Sequence, residues 1–273
     1  MTRSFPAELT HLAQGYFAIK DRVLNDVHPM IENTIPAAPW HSGRQHAPWF
    51  VPPARSKGPE LSADPLAIGL SFKASHAYAQ AAIWLRKAAD HGNSVAQFHL
   101  GFLYAHGQDV FKDFVQAAFW YGKAAAQGHA GAQCALGIFH KQGQGVAQDF
   151  AQAALWFREA VELGESTAQY HLGDLYQEGL GVPQNDTLAA FWFRQAADQG
   201  HIAAQYRLGV MCREGLGLPQ DFAQAARWLQ LAAEQEYGPA QLELTSLVQS
   251  GQNEPKSDSP TSLQFASMGF NAA

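Results

Sequence analysis

The stretch AQFHLGFLYAHGQDVFKDFVQAAFWYGKAAAQGHAG, residues 96–131, decides the fold. Its first half carries Ala96, Leu100, Leu103 and Tyr104, spaced to share one face of a helix. Its second half carries Phe114, Ala117, Ala118, Trp120, Tyr121 and Ala124, a second helical stripe. Gly107 ends the first helix and Gly128 the second, because a residue just past a helix C-terminus takes left-handed backbone and glycine does so freely. The stretch therefore predicts a helix–turn–helix that cannot bury its apolar faces alone.

The same pattern returns along the chain. Trp84, Trp120, Trp156, Trp192 and Trp228 are each 36 residues apart. Ala96, Ala132, Ala168, Ala204 and Ala240 keep that period, as do Gly101, Gly137, Gly173 and Gly209. Alanine pairs recur in phase at Ala81-Ala82, Ala117-Ala118, Ala153-Ala154, Ala189-Ala190 and Ala225-Ala226. Units of this kind bury their faces by stacking on one another, which predicts an all-α solenoid. Gly101 and its equivalents lie inside the first helix, where glycine costs about 1 kcal/mol relative to alanine. The repetition of that cost predicts a helix packed too closely to admit a Cβ, with the alanine pairs opposite and the tryptophans supplying bulk.

Quoted from Ala168, the unit reads AQYHLGDLYQEGLGVPQ and then, from Ala189, AAFWFRQAADQG. This closely resembles the Sel1-like repeat, a relative of the tetratricopeptide repeat, over residues 74–248. The resemblance implies a right-handed α-solenoid and a non-catalytic adaptor or scaffold. It also implies that the concave wall is lined by the first helix of each unit. The inward positions are then Phe98, Phe102, Ala105 and His106; Cys134, Ile138, Lys141 and Gln142; Tyr170, Asp174, Gln177 and Glu178; and Tyr206, Val210, Arg213 and Glu214. Of these, Phe98, Phe102, His106, Ile138, Lys141, Tyr170, Asp174, Gln177, Tyr206, Val210 and Arg213 are the candidate partner-binding residues. The wall mixes aromatics with both signs of charge, which suits a peptide segment or folded protein partner. An immunity-type inhibitor that blocks one toxin or enzyme is the alternative.

Departures from the family pattern are local. Asp109 stands for a glycine in the first inter-helix loop, His140 and Cys212 stand for tyrosine, and Glu236 stands for the last glycine. Asn185 and Asp186 alter the start of one second helix. The column Gln97, Gln133, Gln169, Gln205 and Gln241 is read as bonding backbone between units or facing water, with a ladder for a bound peptide as the alternative.

Composition bounds the rest. The net charge of −6 and pI near 6.0 argue against binding nucleic acid through its phosphates. No apolar run is long enough for a membrane span, and no secretory signal is read at the N-terminus, so a cytoplasmic location is expected. Cys134 and Cys212 sit in different columns of units two apart and should not form a disulfide. His28, His41 and His46 lack Cys or acidic companions, and His99 and His171 lie two units apart, so no metal site is expected. No nucleophile elbow, phosphate loop or zinc-protease motif is present, and no cofactor is expected.

Three segments are expected. Residues 1–58 hold an amphipathic helix (Leu9, Leu12, Tyr16, Ile19, Val23 and Val27 on one face) and a Pro-rich linker with Ala-Pro-Trp at residues 38–40 and 47–49. Residues 8–50 are expected to fold back over the solenoid as a cap, with dimerisation as the alternative. Residues 59–248 form the solenoid, opening with a degenerate first helix at 60–73. Residues 249–273 form a polar tail.

Overall fold

Apolar stripes at helical spacing, cut by glycines, are realised as consecutive antiparallel helix pairs. The computed structural model describes residues 64–249. The expectations for residues 8–28, 33–60 and the tail lie outside the described residues, and the degenerate first helix expected at 60–73 appears as α1 (Pro65–Ala74). The other helices are α2 (Tyr78–Asp90), α3 (Ser94–His106), α4 (Phe114–Ala125), α5 (Ala130–Gln142), α6 (Phe150–Glu162), α7 (Ser166–Glu178), α8 (Asp186–Asp198), α9 (Ile202–Glu214), α10 (Phe222–Glu234) and α11 (Gly238–Gln249). No strand occurs among the described residues. Each helix packs chiefly on its chain neighbours, as a stack of repeats requires. Four full pairs were expected from residue 96 onward and are present. The segment before them is itself a pair, α1 with α2, joined by a shorter turn.

Sequence sets where the helices stop and start. Gly107, Gly143, Gly179 and Gly215 cap the first helices with φ of 68–72°, and each donates its N–H to a carbonyl four residues back. The second helices open on Asp113, Asp149, Asn185 and Asp221, whose side chains accept the orphan N–H groups of the first turn. Asn185 thus replaces an aspartate without loss of the cap.

The interior glycines are where the helices touch. A Cβ on Gly137 would lie 2.5 Å from the Phe157 ring, on Gly173 2.7 Å from Phe193, and on Gly101 2.9 Å from Tyr121. The glycine partner is therefore the residue after each tryptophan (Leu85, Tyr121, Phe157, Phe193, Leu229), with the expected alanine pair contributing a carbonyl 3.2–3.3 Å away at Gly101 and Gly209. The tryptophans differ in burial: Trp120 and Trp156 are buried, while Trp84, Trp192 and Trp228 are half-buried.

Asp109 has a visible consequence. Gly145, Gly181 and Gly217 press so closely on the start of the preceding second helix that a Cβ would lie 2.1–2.2 Å from its backbone. Asp109 holds the same left-handed conformation (φ 51°) but carries a Cβ that could not fit such an approach. Its loop also exposes Phe111 to 96%.

Candidate functional site

The residues expected to line the wall lie on the first helices α3, α5, α7 and α9. Phe98, Phe102, Ile138, Lys141, Tyr170, Gln177, Tyr206, Val210 and Arg213 are half-buried, and His106 is exposed. Asp174 requires a correction: expected as an open groove contact, it is 6% exposed. Cys134, also expected to face inward, is buried too.

Asp174 is buried because cations converge on it from both neighbouring units. Lys141 Nζ on α5 donates to its Oδ2 at 3.1 Å, and Arg207 Nη2 on α9 stands 3.5 Å from its Oδ1. One carboxylate thus ties α5, α7 and α9, as a buried charge requires. Arg207 also interacts electrostatically with Tyr170. Tyr170 stacks on His201 at 4.8 Å between ring centroids. His171 lies 4.0 Å from Asp174, but burial, and then Lys141, pull its pKa down to about 4. It is neutral at physiological pH, so this approach is not an ion pair.

Two units earlier the same slots hold different chemistry. Phe98 stacks on His129 at 4.5 Å, and Phe102 on His106 at 3.9 Å. Lys73 on α1 lies 4.8 Å from the centre of the Phe102 ring and bonds His99 Nδ1 at 2.9 Å. Burial, then Lys73 and His129, lower the His99 pKa to about 4, so His99 is the neutral acceptor and Lys73 the donor. His129 and His201 also act as N-caps, each accepting a backbone N–H at Nδ1 at 3.3 Å. Their burial keeps the imidazoles neutral in that role.

The C-terminal part of the wall is closed by its own charges. Arg213 pairs with Glu214 at 2.7 Å and with Glu243 of α11. Tyr206 packs on Tyr237, with ring centroids 5.4 Å apart.

The glutamine column is structural. Gln97, Gln133, Gln205 and Gln241 donate to the carbonyls of Ala89, Ala125, Ala197 and Ala233 in the preceding second helix. Gln127, Gln199 and Gln235 then donate back to Gln97, Gln169 and Gln205 at 2.7–2.9 Å. The amides are consumed by stacking, which is the bracket reading rather than the peptide-ladder one. One bracket is incomplete: Leu163 stands thirty residues after Gln133, where a glutamine would close it, and Gln133 Oε1 is buried without a partner.

Sequence reasoning missed Lys73, His99, His171 and Arg207 as wall residues. His99, His171 and Arg207 share the fourth position of their units, one residue after the aromatic position. Their periodic signal was present. Lys73 was hidden because the short turn after α1 breaks the 36-residue phase. Gly69, which meets Leu85 as Gly101 meets Tyr121, restores the register and sets Lys73 level with Lys141 and Arg213.

This arrangement can hold aromatic and charged side chains of another chain against half-buried rings and cations. The two cysteines are poorly disposed to act as nucleophiles: burial, and then Glu165, push the Cys134 thiol up to about 12, and burial also raises Cys212. Among the described residues no cluster of three His, Cys, Asp or Glu could hold a metal ion, and no helix is long and apolar enough to cross a membrane.

Comparison with known proteins places this geometry. A family profile described as the Sel1 repeat matches residues 73–93, 94–129, 130–165, 166–201 and 202–237. Among solved structures, a protective antigen present in uropathogenic Escherichia coli strains is 34% identical with a TM-score of 0.66, over 70% of this chain and 42% of its own. This chain thus spans less than half of that protein. A Sel1 repeat protein from Oxalobacter formigenes is 33% identical with a TM-score of 0.66, over 71% of this chain and 77% of its own. No curated protein matches.

Proposed function

We propose that this chain, which belongs to the Sel1 repeat family, is a non-catalytic adaptor that holds a peptide segment or folded partner on the first-helix wall. Sel1 repeats generally mediate protein interactions, and the proposal assigns that role to a surface. The observation that carries it is the half-buried aromatic column Phe98, Tyr170 and Tyr206, with Phe102 and His106 beside it. Phe98, Phe102 and Tyr170 are anchored by stacking on histidine rings, and Tyr206 packs on Tyr237. Rigid aromatics with few rotamers to lose are effective contact residues. The opposing requirement of stability is met elsewhere, by the glycine–ring contacts and the glutamine brackets. A cytoplasmic location is part of the same proposal, with the two buried, unpaired cysteines compatible with a reducing compartment. No feature of the described residues favours the blocking-inhibitor alternative.

The test is a pair of substitutions, Tyr170→Ala with Tyr206→Ala. The partner is recovered by co-purification with the full chain from its native host. Binding should weaken by about tenfold or more, as loss of two aromatic contacts implies, while helical circular dichroism and a cooperative melt persist. Loss of fold in parallel with binding would assign both rings to the core and remove the proposal's basis.

A further inference from the structure

The basic side chains at one repeat position reveal an incomplete pair. Lys73, Lys141 and Arg213 occupy equivalent places near the ends of α1, α5 and α9 once Gly69 is aligned with Gly137 and Gly209 by their contacts to Leu85, Phe157 and Leu229. Each reaches across to the first helix of the next unit. Lys141 meets Asp174 there, and Arg213 meets Glu243. Lys73 meets Phe102 at the position Asp174 holds in its unit, and neutral His99 at the position Glu243 holds. Among the described residues Lys73 has no carboxylate partner.

The surroundings do not supply one. Helices α1, α3 and α5 contain no Asp or Glu, and they carry Lys73, His99, His106, His140 and Lys141. Helices α7, α9 and α11 carry Asp174, Glu178, Glu214 and Glu243 alongside Arg207 and Arg213. The wall is therefore basic and aromatic in its first half and acidic on balance in its second, where four carboxylates face two arginines. Burial already lowers the Lys73 pKa, so its ammonium sits where an added anion would stabilise it. Beside it lies the Phe102–His106 stack, and the half-buried Phe98 ring stands one helical turn before Phe102.

We infer that the first half of the wall receives a partner segment carrying an Asp or Glu side chain next to an aliphatic or aromatic one. The carboxylate completes with Lys73 the pair that Asp174 makes with Lys141, and the apolar neighbour packs on Phe102 and Phe98. This rests on the proposed partner-binding role of the same wall and specifies the chemistry of what binds.

The test is selection of a phage-displayed random peptide library on the full chain, followed by titration of the enriched peptides as synthetic probes. Enriched sequences should share a carboxylate beside an apolar residue. Lys73→Gln should weaken them about tenfold, as expected for a hydrogen bond to a charged group. Replacing the peptide's Glu by Gln should weaken them by a similar factor. The two changes combined should cost little more than either alone, and Arg207→Gln should have a smaller effect. If Lys73→Gln does not fold, the peptide substitution on the unaltered chain decides. Enriched peptides without a carboxylate, or acidic peptides indifferent to Lys73, would overturn this inference and leave peptide binding standing. Recovery of no wall-binding peptide would overturn both.

Discussion

Replacing Gly173 by alanine separates the packing account from intrinsic propensity, because the two give opposite signs. Alanine is the better helix former by about 1 kcal/mol, so propensity alone makes Gly173→Ala stabilising. The structure places the new Cβ 2.7 Å from Phe193 Cε1 and 2.8 Å from Cδ1. Carbon atoms pack best at about 3.5–4.0 Å, so the ring would have to retreat by about 0.8 Å. Phe193 is wholly buried and its ring adjoins Tyr170 at 5.7 Å, so the displacement spreads through the stack. Overpacking of this kind costs about 1–3 kcal/mol. After the propensity gain, the net is a loss of roughly 0–2 kcal/mol. At about 2–4 °C per kcal/mol for a chain of this size, the melting temperature should fall by several degrees at the upper end of that range.

Two controls make the assay decisive. Gly238 opens α11 with no atom within 4 Å of a would-be Cβ, so Gly238→Ala should be neutral or stabilising. In a Phe193→Ala background the obstacle is gone, and Gly173→Ala should no longer destabilise. Urea unfolding of the four chains gives the coupling directly. A stabilised Gly173→Ala, or an equal penalty with and without the Phe193 ring, would refute the close-packing argument.

Three further outcomes follow from single observations. Leu163→Gln should place a donor where Gln127 and Gln199 place theirs, satisfy Gln133 Oε1 and remove an apolar side chain that is 54% exposed; a gain of about 0.5–1.5 kcal/mol in urea melts is expected, and a loss would refute the bracket. Asp174→Asn leaves Lys141 and Arg207 facing each other without a counter-charge; the cost should be about 1–3 kcal/mol, below the usual figure for a broken buried pair because Arg207 is 39% exposed, and no change in denaturation midpoint would mean the cluster is solvated. His171 has a folded pKa of about 4, below the ordinary 6.5, so the unfolded chain takes up its proton first as pH falls. Stability from this group is complete above pH 6.5, declines towards pH 4 and levels off below, by at most about 3 kcal/mol. His171→Gln should flatten that slope, and an unchanged slope would show that other groups cause it.

The helices, their glycine ends and the tight glycine contacts were legible because they are set within one unit, where period and spacing are enough. The identity of the glycine's partner was not, because Trp120 and Tyr121 lie on adjacent residues and only their true rotation about the helix shows which one meets Gly101. The burial of Asp174 was illegible for a different reason. It is decided by Lys141, thirty-three residues earlier, and by Arg207, thirty-three later, so the pattern within its own unit reads as an exposed acid. Lys73 was missed because a shortened turn moved it out of phase.

That division of labour bears on how such a wall changes its specificity. Stacking between units is carried by the second position, where glutamine is held by carbonyls of the preceding helix, and pairing within a unit by the sixth, where glycine meets a ring. Neither faces the wall. The tenth position takes part in neither contact, although Lys141 and Arg213 there add ion pairs to the next first helix, and along the full units it runs Ala105, Lys141, Gln177 and Arg213. A change there rewrites one contact across two adjacent first helices and leaves the backbone frame in place. The charge asymmetry between the two halves of the wall is then the sum of a few such choices, made on a scaffold whose glycine–ring contacts and glutamine brackets do not depend on them.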